Sequence, residues 1–285
     1  MHRRFLAILL VAAAVSATLS GTADAAGVLD RIKETGELRL GVREDAAPLS
    51  YTDDAGQPTG YSVMVCNAVA SRIGKATGRA DLKITYVTVG TDDRFQAVVD
   101  GRADLLCGAD TITLGRREQV DFSIPTFVDG AAVLLRKGSD PTFDALAGRK
   151  VGVRAGTTTE AVLRGTLAAK QMDADVVTFD THPQGLAALE SKQIDAYFGD
   201  QSILFHLLFN SKERESLAIS DNTMTVEVQG LALPRGDSDF RPAVDRAISE
   251  LYRSGEMTRF FEASLPGATP GVALKSMFLI SPVMP

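Results

Sequence analysis

The chain has 285 residues, 30 Lys and Arg against 36 Asp and Glu, a net charge of −6, and 45% apolar residues. That acidic balance, with no Lys/Arg stripe, speaks against nucleic acid as a partner. Three histidines (His2, His182, His206) and two cysteines spell no metal-ligand cluster, and the chain carries no Walker loop, HExxH or nucleophile triad.

Residues 1–25 hold Arg3 and Arg4, an apolar run from Phe5 to Val15, and then Ala23-Asp24-Ala25. This order of basic, apolar and small-residue segments predicts a secretory signal with an A-x-A cleavage site, and its apolar run is too short to span a bilayer. No cysteine lies near the cleavage point to take a lipid, so a soluble periplasmic protein is expected. Removing the segment takes away Arg3, Arg4 and Asp24 and leaves a net charge of −7. About 260 residues remain, more than one typical domain and enough for two lobes with separate cores.

From there, strand and helix patterns alternate, the mark of βα units and mostly parallel sheets. The first unit reads as strand 38–42, helix 61–73, strand 82–89, helix 92–99 capped by Thr91 or Asp92, and strand 103–107. An apolar strand follows at 129–137 (DGAAVLLRK). The second unit reads as strand 150–153, helix 158–169, strand 175–179, helix 183–190 and strand 194–198. Another apolar strand at 224–233 (MTVEVQGLAL) precedes helices 239–253 and 256–263, and the Pro-, Gly- and Ala-rich tail reads as an irregular wrap. The two apolar strands would carry the chain to a second lobe and back. The expected division is signal 1–25, first lobe 26–134, second lobe 135–227, return to the first lobe 228–265, and tail 266–285 packed on the first lobe.

Two echoes point to duplication. Gly-Val-Arg closes the opening strand of each unit, at 41–43 and 152–154, and Asp104-Leu-Leu-Cys-Gly108 matches Asp195-Ala-Tyr-Phe-Gly199 in form. Each unit therefore places a cation at the carboxyl end of a strand, where open α/β sheets bind ligands. Two lobes facing one small anion follow from this. Cys66 and Cys107, an even count in an exported chain, predict a disulfide between helix 61–74 and strand 103–107, with two buried free thiols as the alternative.

The stretches 41–61 (GVREDAAPLSYTDDAGQPTGY), 110–127 (DTITLGRREQVDFSIPTF) and 146–160 (LAGRKVGVRAGTTTE) resemble the periplasmic amino-acid-binding proteins of ABC importers. The resemblance runs over residues 27–266. It is strongest for the glutamate/aspartate-binding group, through Gly41-x-Arg43-Glu44, Gly60-Tyr61-Ser62, Cys107-Gly108, Thr111, Arg116, Phe122-Ser123 and His182. It implies the two-lobed type II periplasmic-binding-protein fold, each lobe a mostly parallel sheet flanked by helices, joined by two extended hinge crossings. It further implies a monomeric receptor, without a cofactor, that captures glutamate or aspartate and delivers it to an inner-membrane ABC permease.

A zwitterion held in a closed pocket needs both its charges paired, because unpaired buried charge is costly. Arg116, by resemblance the family's carboxylate arginine, offers a planar fork for the α-carboxylate. Thr111 would add a hydroxyl or backbone donor, and Thr158 another from the start of a second-lobe helix, where free N–H groups favour anions. The ammonium needs an acid: Asp200 stands where the family keeps its aspartate, and Asp110 is a first-lobe rival. Helix capping competes for either.

Arg43, Arg94 and His182 match positions that contact the distal carboxylate in the glutamate/aspartate group. Thr91 replaces a serine of that group conservatively. Ala109 replaces another without a hydroxyl, and Asp110 departs from a hydroxyl residue. The first loop offers Ala46, Ala47 and Leu49 in place of the aromatic box of neutral and basic binders. Arg154 stands where a small polar residue is usual, and two roles are open to it: ligand contact, or a bridge between lobes through a carboxylate such as Glu44 or Asp45. A rival function is a cyclohexadienyl or arogenate dehydratase-like enzyme on the same fold, with His182, Asp110 or Glu44 as acid or base. A receptor for another polar amino acid and a sensor-type binding module also compete with the acidic receptor.

Overall fold

Gly41 and Gly152 show why one tripeptide recurs. In the computed structural model, which describes residues 27–284, each lies in a strand held between two parallel neighbours in its own sheet. Strand Glu37–Val42 is flanked by Lys83–Thr88 and Leu105–Leu106, all parallel. Strand Lys150–Arg154 is flanked by Asp175–Phe179 and Ala196–Asp200, again parallel, and Ala131–Arg136 and Leu217–Ile219 extend this sheet antiparallel. A Cβ on Gly41 would sit 2.6 Å from the Leu106 side chain; one on Gly152 would sit 2.5 Å from that of Ile194. Side chains from neighbouring segments thus cross over each of these two strands, and only glycine leaves them room.

Both faces of each sheet are covered, as parallel strands require. In the first lobe, helix Tyr61–Ala76 buries Val65, Cys66, Val69 and Ile73, one helical stripe, in a core shared with Leu38 and Leu40. Helix Phe240–Arg253 returns to the same core with Val244, Ile248 and Leu251. Each such side chain contributes about 1.5–3 kcal/mol of hydrophobic stabilisation when fully buried. Cys66 and Cys107 form the expected disulfide, joining helix Tyr61–Ala76 to the end of strand Leu105–Leu106. In the second lobe, Val151, Val153, Leu163 and Leu167 pack in one cluster, and Leu189, Ile194, Tyr197 and Leu204 in another.

The two crossings meet. Strand Phe127–Asp129 leaving the first lobe pairs antiparallel with Glu227–Gln229 returning to it, Glu227 opposite Asp129 and Gln229 opposite Phe127. The predicted strand 129–137 therefore splits at Gly130, its second half joining the second sheet. Two further expectations are corrected. The helix predicted over 92–99 starts at Arg94, because the Asp93 carboxylate accepts from the Gly90 N–H at 2.8 Å and caps nothing. The tail is not irregular throughout: Val272–Ile280 is a helix whose Leu274 and Met277, three residues apart, enter the first-lobe core. The predicted export segment 1–25 lies outside the described residues. Among the described residues no helix is long and apolar enough to cross a membrane.

Candidate functional site

The carboxyl ends of the two Gly-Val-Arg strands face one another across a cleft. Arg43, Thr91, Arg94, Ala109, Arg116, Thr158, His182 and Asp200 all line it, with Arg154 among them. Residues far apart in the chain are thus brought together at one cleft. Their partners, however, divide the cleft into two unlike ends.

At one end the cations gather. Arg43, just past its strand, donates from Nη2 to Asp45 Oδ1 at 2.5 Å. Arg154, the last residue of its own strand, donates from Nε to Asp45 Oδ2 at 2.9 Å and from Nη1 to the Phe179 carbonyl at 3.3 Å. Asp45 thus holds one arginine from each lobe, and of the roles open to Arg154 the interlobe bridge is formed, through Asp45. Glu44 instead lies 3.4 Å from the Thr88 hydroxyl. Burial opposes ionisation of Asp45, yet the neighbouring guanidiniums, Arg43 foremost, hold its carboxyl below the ordinary value.

Arg94 opens its helix, only 3% exposed, with Nε 2.7 Å from Asp110 Oδ1 and Nη1 on the Thr91 carbonyl. Asp110 corrects an expectation: it stands behind Arg94 rather than on the cleft wall, its carboxylate already engaged. Its Oδ2 is buried without a hydrogen-bond partner among the described residues. A buried carboxylate needs a cation beside it, and Arg94 supplies it as a direct ion pair, with Arg43 and Arg116 also near enough to feel its charge. His182 begins helix His182–Glu190, where Thr181 forms the capping box, and its Nδ1 lies 3.0 Å from the Tyr197 hydroxyl. Burial drives its pKa down to about 3, so the imidazole is neutral.

At the other end the carboxylates gather. Asp200 closes strand Ala196–Asp200 and occupies the N-cap of helix Gln201–Asn210, yet its side chain makes no capping bond. Its oxygens instead accept from the Thr159 hydroxyl at 3.3 Å and the Gln229 amide at 3.1 Å. Burial, reinforced by Asp129 and Glu227, pushes its carboxyl well above the usual range. Asp129 accepts from the Ser202 hydroxyl at 2.5 Å, and burial raises it too. The hydroxyls of Thr111 and Thr158 both donate to Glu227 Oε2, at 2.6 and 2.7 Å. Thr111 therefore lies behind the wall, turned to a protein carboxylate.

Glu227, Asp129 and Gln229 escaped the sequence reading. The available signal for Glu227 was a lone acid inside the apolar crossing MTVEVQGLAL, buried in the structure. Between the two ends sits Arg116, in the short helix Leu114–Arg117 capped by Thr113. It donates to the Thr111 carbonyl at 2.7 Å and lies over the Phe95 ring at 5.0 Å. Among the described residues it is the one cleft arginine without an ion pair. Burial lowers its pKa, but an arginine keeps its charge.

Residues 38–265 match the model of the bacterial extracellular solute-binding proteins, family 3. The chain belongs to that family. This family 3 protein is 32% identical over 278 residues to the L-glutamate/L-aspartate-binding protein of Pseudomonas aeruginosa, covering 96% of this chain and 92% of that one. It is 30% identical over 264 residues to an L-cystine-binding protein of Escherichia coli, covering 92% and 94%. Among solved structures, the cysteine-binding protein from Campylobacter jejuni aligns with a TM-score of 0.73 at 25% identity, over 85% of this chain and 94% of that one. An ancestral amino acid-binding protein, a precursor of cyclohexadienyl dehydratase, aligns with a TM-score of 0.72 at 26% identity, over 84% and 99%. The two-lobed type II fold implied by the sequence is the fold of the family 3 protein.

Proposed function

We propose that this chain is a periplasmic receptor that closes on glutamate or aspartate and presents it to an inner-membrane ABC permease. The observation that carries this reading is the charge balance where the two Gly-Val-Arg strands end. Arg43, Arg94 and Arg154 stand against Asp45 and Asp110 while His182 is neutral, which leaves one positive charge over. A side-chain carboxylate cancels that charge; an amide leaves it unpaired and buried at a cost of several kcal/mol. On this reading Arg116, without an ion pair of its own among the described residues, takes the α-carboxylate, and Asp200, flanked by Asp129 and Glu227, takes the ammonium.

The glutamate/aspartate-binding relative supports the acidic ligand, and the cystine- and cysteine-binding ones support recognition of the amino-acid head. We read a receptor rather than a dehydratase because the nominated acids and bases are engaged. His182 is held by Tyr197, Asp110 by Arg94, and Glu44 lies toward Thr88. Calorimetry against the amino acids, with prephenate turnover followed in parallel, tests this. Glutamate or aspartate should bind at least about tenfold tighter than glutamine, as expected for a lost charged partner. Binding of glutamine or arginine without binding of either acid would overturn the ligand, and prephenate turnover the receptor.

A further inference from the structure

The ion triad Arg43–Asp45–Arg154 separates two spaces. On its inner side lies the cleft, lined by Arg43, Ala46, Arg154 and His182. On its outer side a groove of about 320 Å³ runs between the first-lobe loop at Glu44, Asp45 and Tyr51 and the second-lobe helices at Pro183, Glu190 and His206. The alternation of a short strand makes this possible: in Asp45–Ala46, successive side chains point to opposite faces, Asp45 to the groove and Ala46 to the cleft. The arginines reach the Asp45 carboxylate from the cleft, and the three side chains are 5–11% exposed. On the second lobe, the pair His182 and Pro183 repeats the division, one on each side.

We propose that this triad is the end wall of the ligand cleft and makes Arg154 a specificity-determining residue, fixing the length of side chain the receptor accepts. The wall is assembled from both lobes, so it is complete only when they are closed. With Arg154 in place, a distal carboxylate meets guanidinium and stops there. Without its side chain, Asp45 keeps Arg43 alone, and the cleft communicates with a groove bordered by Glu44, Asp45 and Glu190. A carboxylate one methylene longer still meets Arg43 at the opening, and the acidic walls beyond it suit an amide or a cation on a longer chain.

The inference rests on the acidic-ligand reading only for its first probe. Isothermal titration of wild type and Arg154→Ser with glutamate and with its one-methylene homologue, 2-aminoadipate, compares length at constant charge. The wild type should prefer glutamate by about 100-fold, within the range one methylene commands in a fitted pocket, and the variant should lose at least tenfold of that preference. Asp45→Asn, which keeps the volume but breaks both ion pairs, should lose part of it. A second series, asparagine, glutamine and citrulline, extends a neutral chain; the variant should gain citrulline relative to asparagine. Thermal melts confirm that each variant is folded. Preferences unchanged within threefold in both series would overturn the wall. Failure of the wild type to bind glutamate or aspartate would sink the acidic reading instead, leaving the neutral series to decide the wall.

Discussion

The two Gly-Val-Arg strand ends are equal in sequence and each strand lies between two parallel neighbours, yet their arginines are held differently. Arg43 finds its carboxylate two residues away, within its own lobe; Arg154 finds the same carboxylate 109 residues away, across the cleft. Around the first end the chain is stapled by Cys66–Cys107, with the Cys107 N–H on the Gly41 carbonyl at 2.8 Å. Around the second end a neutral His182 on Tyr197 does the packing, with no covalent tie. The difference teaches that a duplicated unit keeps its backbone while its strand-end cation changes role. On the proposed reading, one arginine reads the ligand within a pre-built half-site, and the other completes the site on closure.

The comparison can be broken at either end. The largest effect should come from the staple: replacing both cysteines by alanine opens a 41-residue separation and should cost about 4 kcal/mol of stability by the loop-entropy relation. The loss should appear as a lowered denaturation midpoint in the first lobe, and an unchanged midpoint would remove the asymmetry. Next, Arg43→Ala should weaken glutamate by about 100-fold and glutamine by less than about tenfold, since the lost partner is a buried charge. Equal losses in calorimetry would reduce Arg43 to a structural residue.

At the second end, His182 gives a pH signature. Its folded pKa, about 3, lies below the ordinary 6.5, so the unfolded chain takes up a proton that the folded state refuses. Its contribution to stability is therefore complete above pH 6.5 and is lost as pH falls toward 3. Relative to His182→Gln, the wild type should lose roughly 2 kcal/mol between pH 7 and 4.5, read from chemical denaturation. A parallel loss in both proteins would show that His182 is not the group responsible. The smallest effect is protonic. Asp200 is raised by burial and by Asp129 and Glu227, so it holds its proton more readily than an ordinary carboxyl, and an arriving ammonium displaces that proton. Ligand binding should release a fraction of one proton, seen as a dependence of calorimetric heat on buffer ionisation enthalpy and as affinity rising with pH. Both should vanish in any Asp200→Asn variant that retains binding.

Much of the fold was legible because apolar period and turn chemistry are local. The helix Thr158–Ala169 was bounded correctly from its pattern alone, as was strand Asp175–Phe179. The tail helix was missed because Pro and Gly dominate its approach, while the signal for it, Leu274 and Met277 at a helical interval, needs the first-lobe core to have meaning. Among the site residues, the cations could be nominated because charge at a strand end is visible in one line of sequence. Glu227 could not, since a single acid in an apolar strand gains its role only from Thr111 and Thr158, which two different lobes supply.

By itself the sequence determined the doubled βα plan, the glycines that let neighbouring side chains cross the two Gly-Val-Arg strands, and the presence of an arginine at the end of each. Only the tertiary structure decided which carboxylate each arginine meets. Asp45 and Asp110 carry the same charge and flank the same cleft, but Asp45 ties two lobes together whereas Asp110 is closed in behind Arg94. The physical reason is that a buried ion pair is chosen by distance and desolvation, and both are fixed only when the lobes pack against one another.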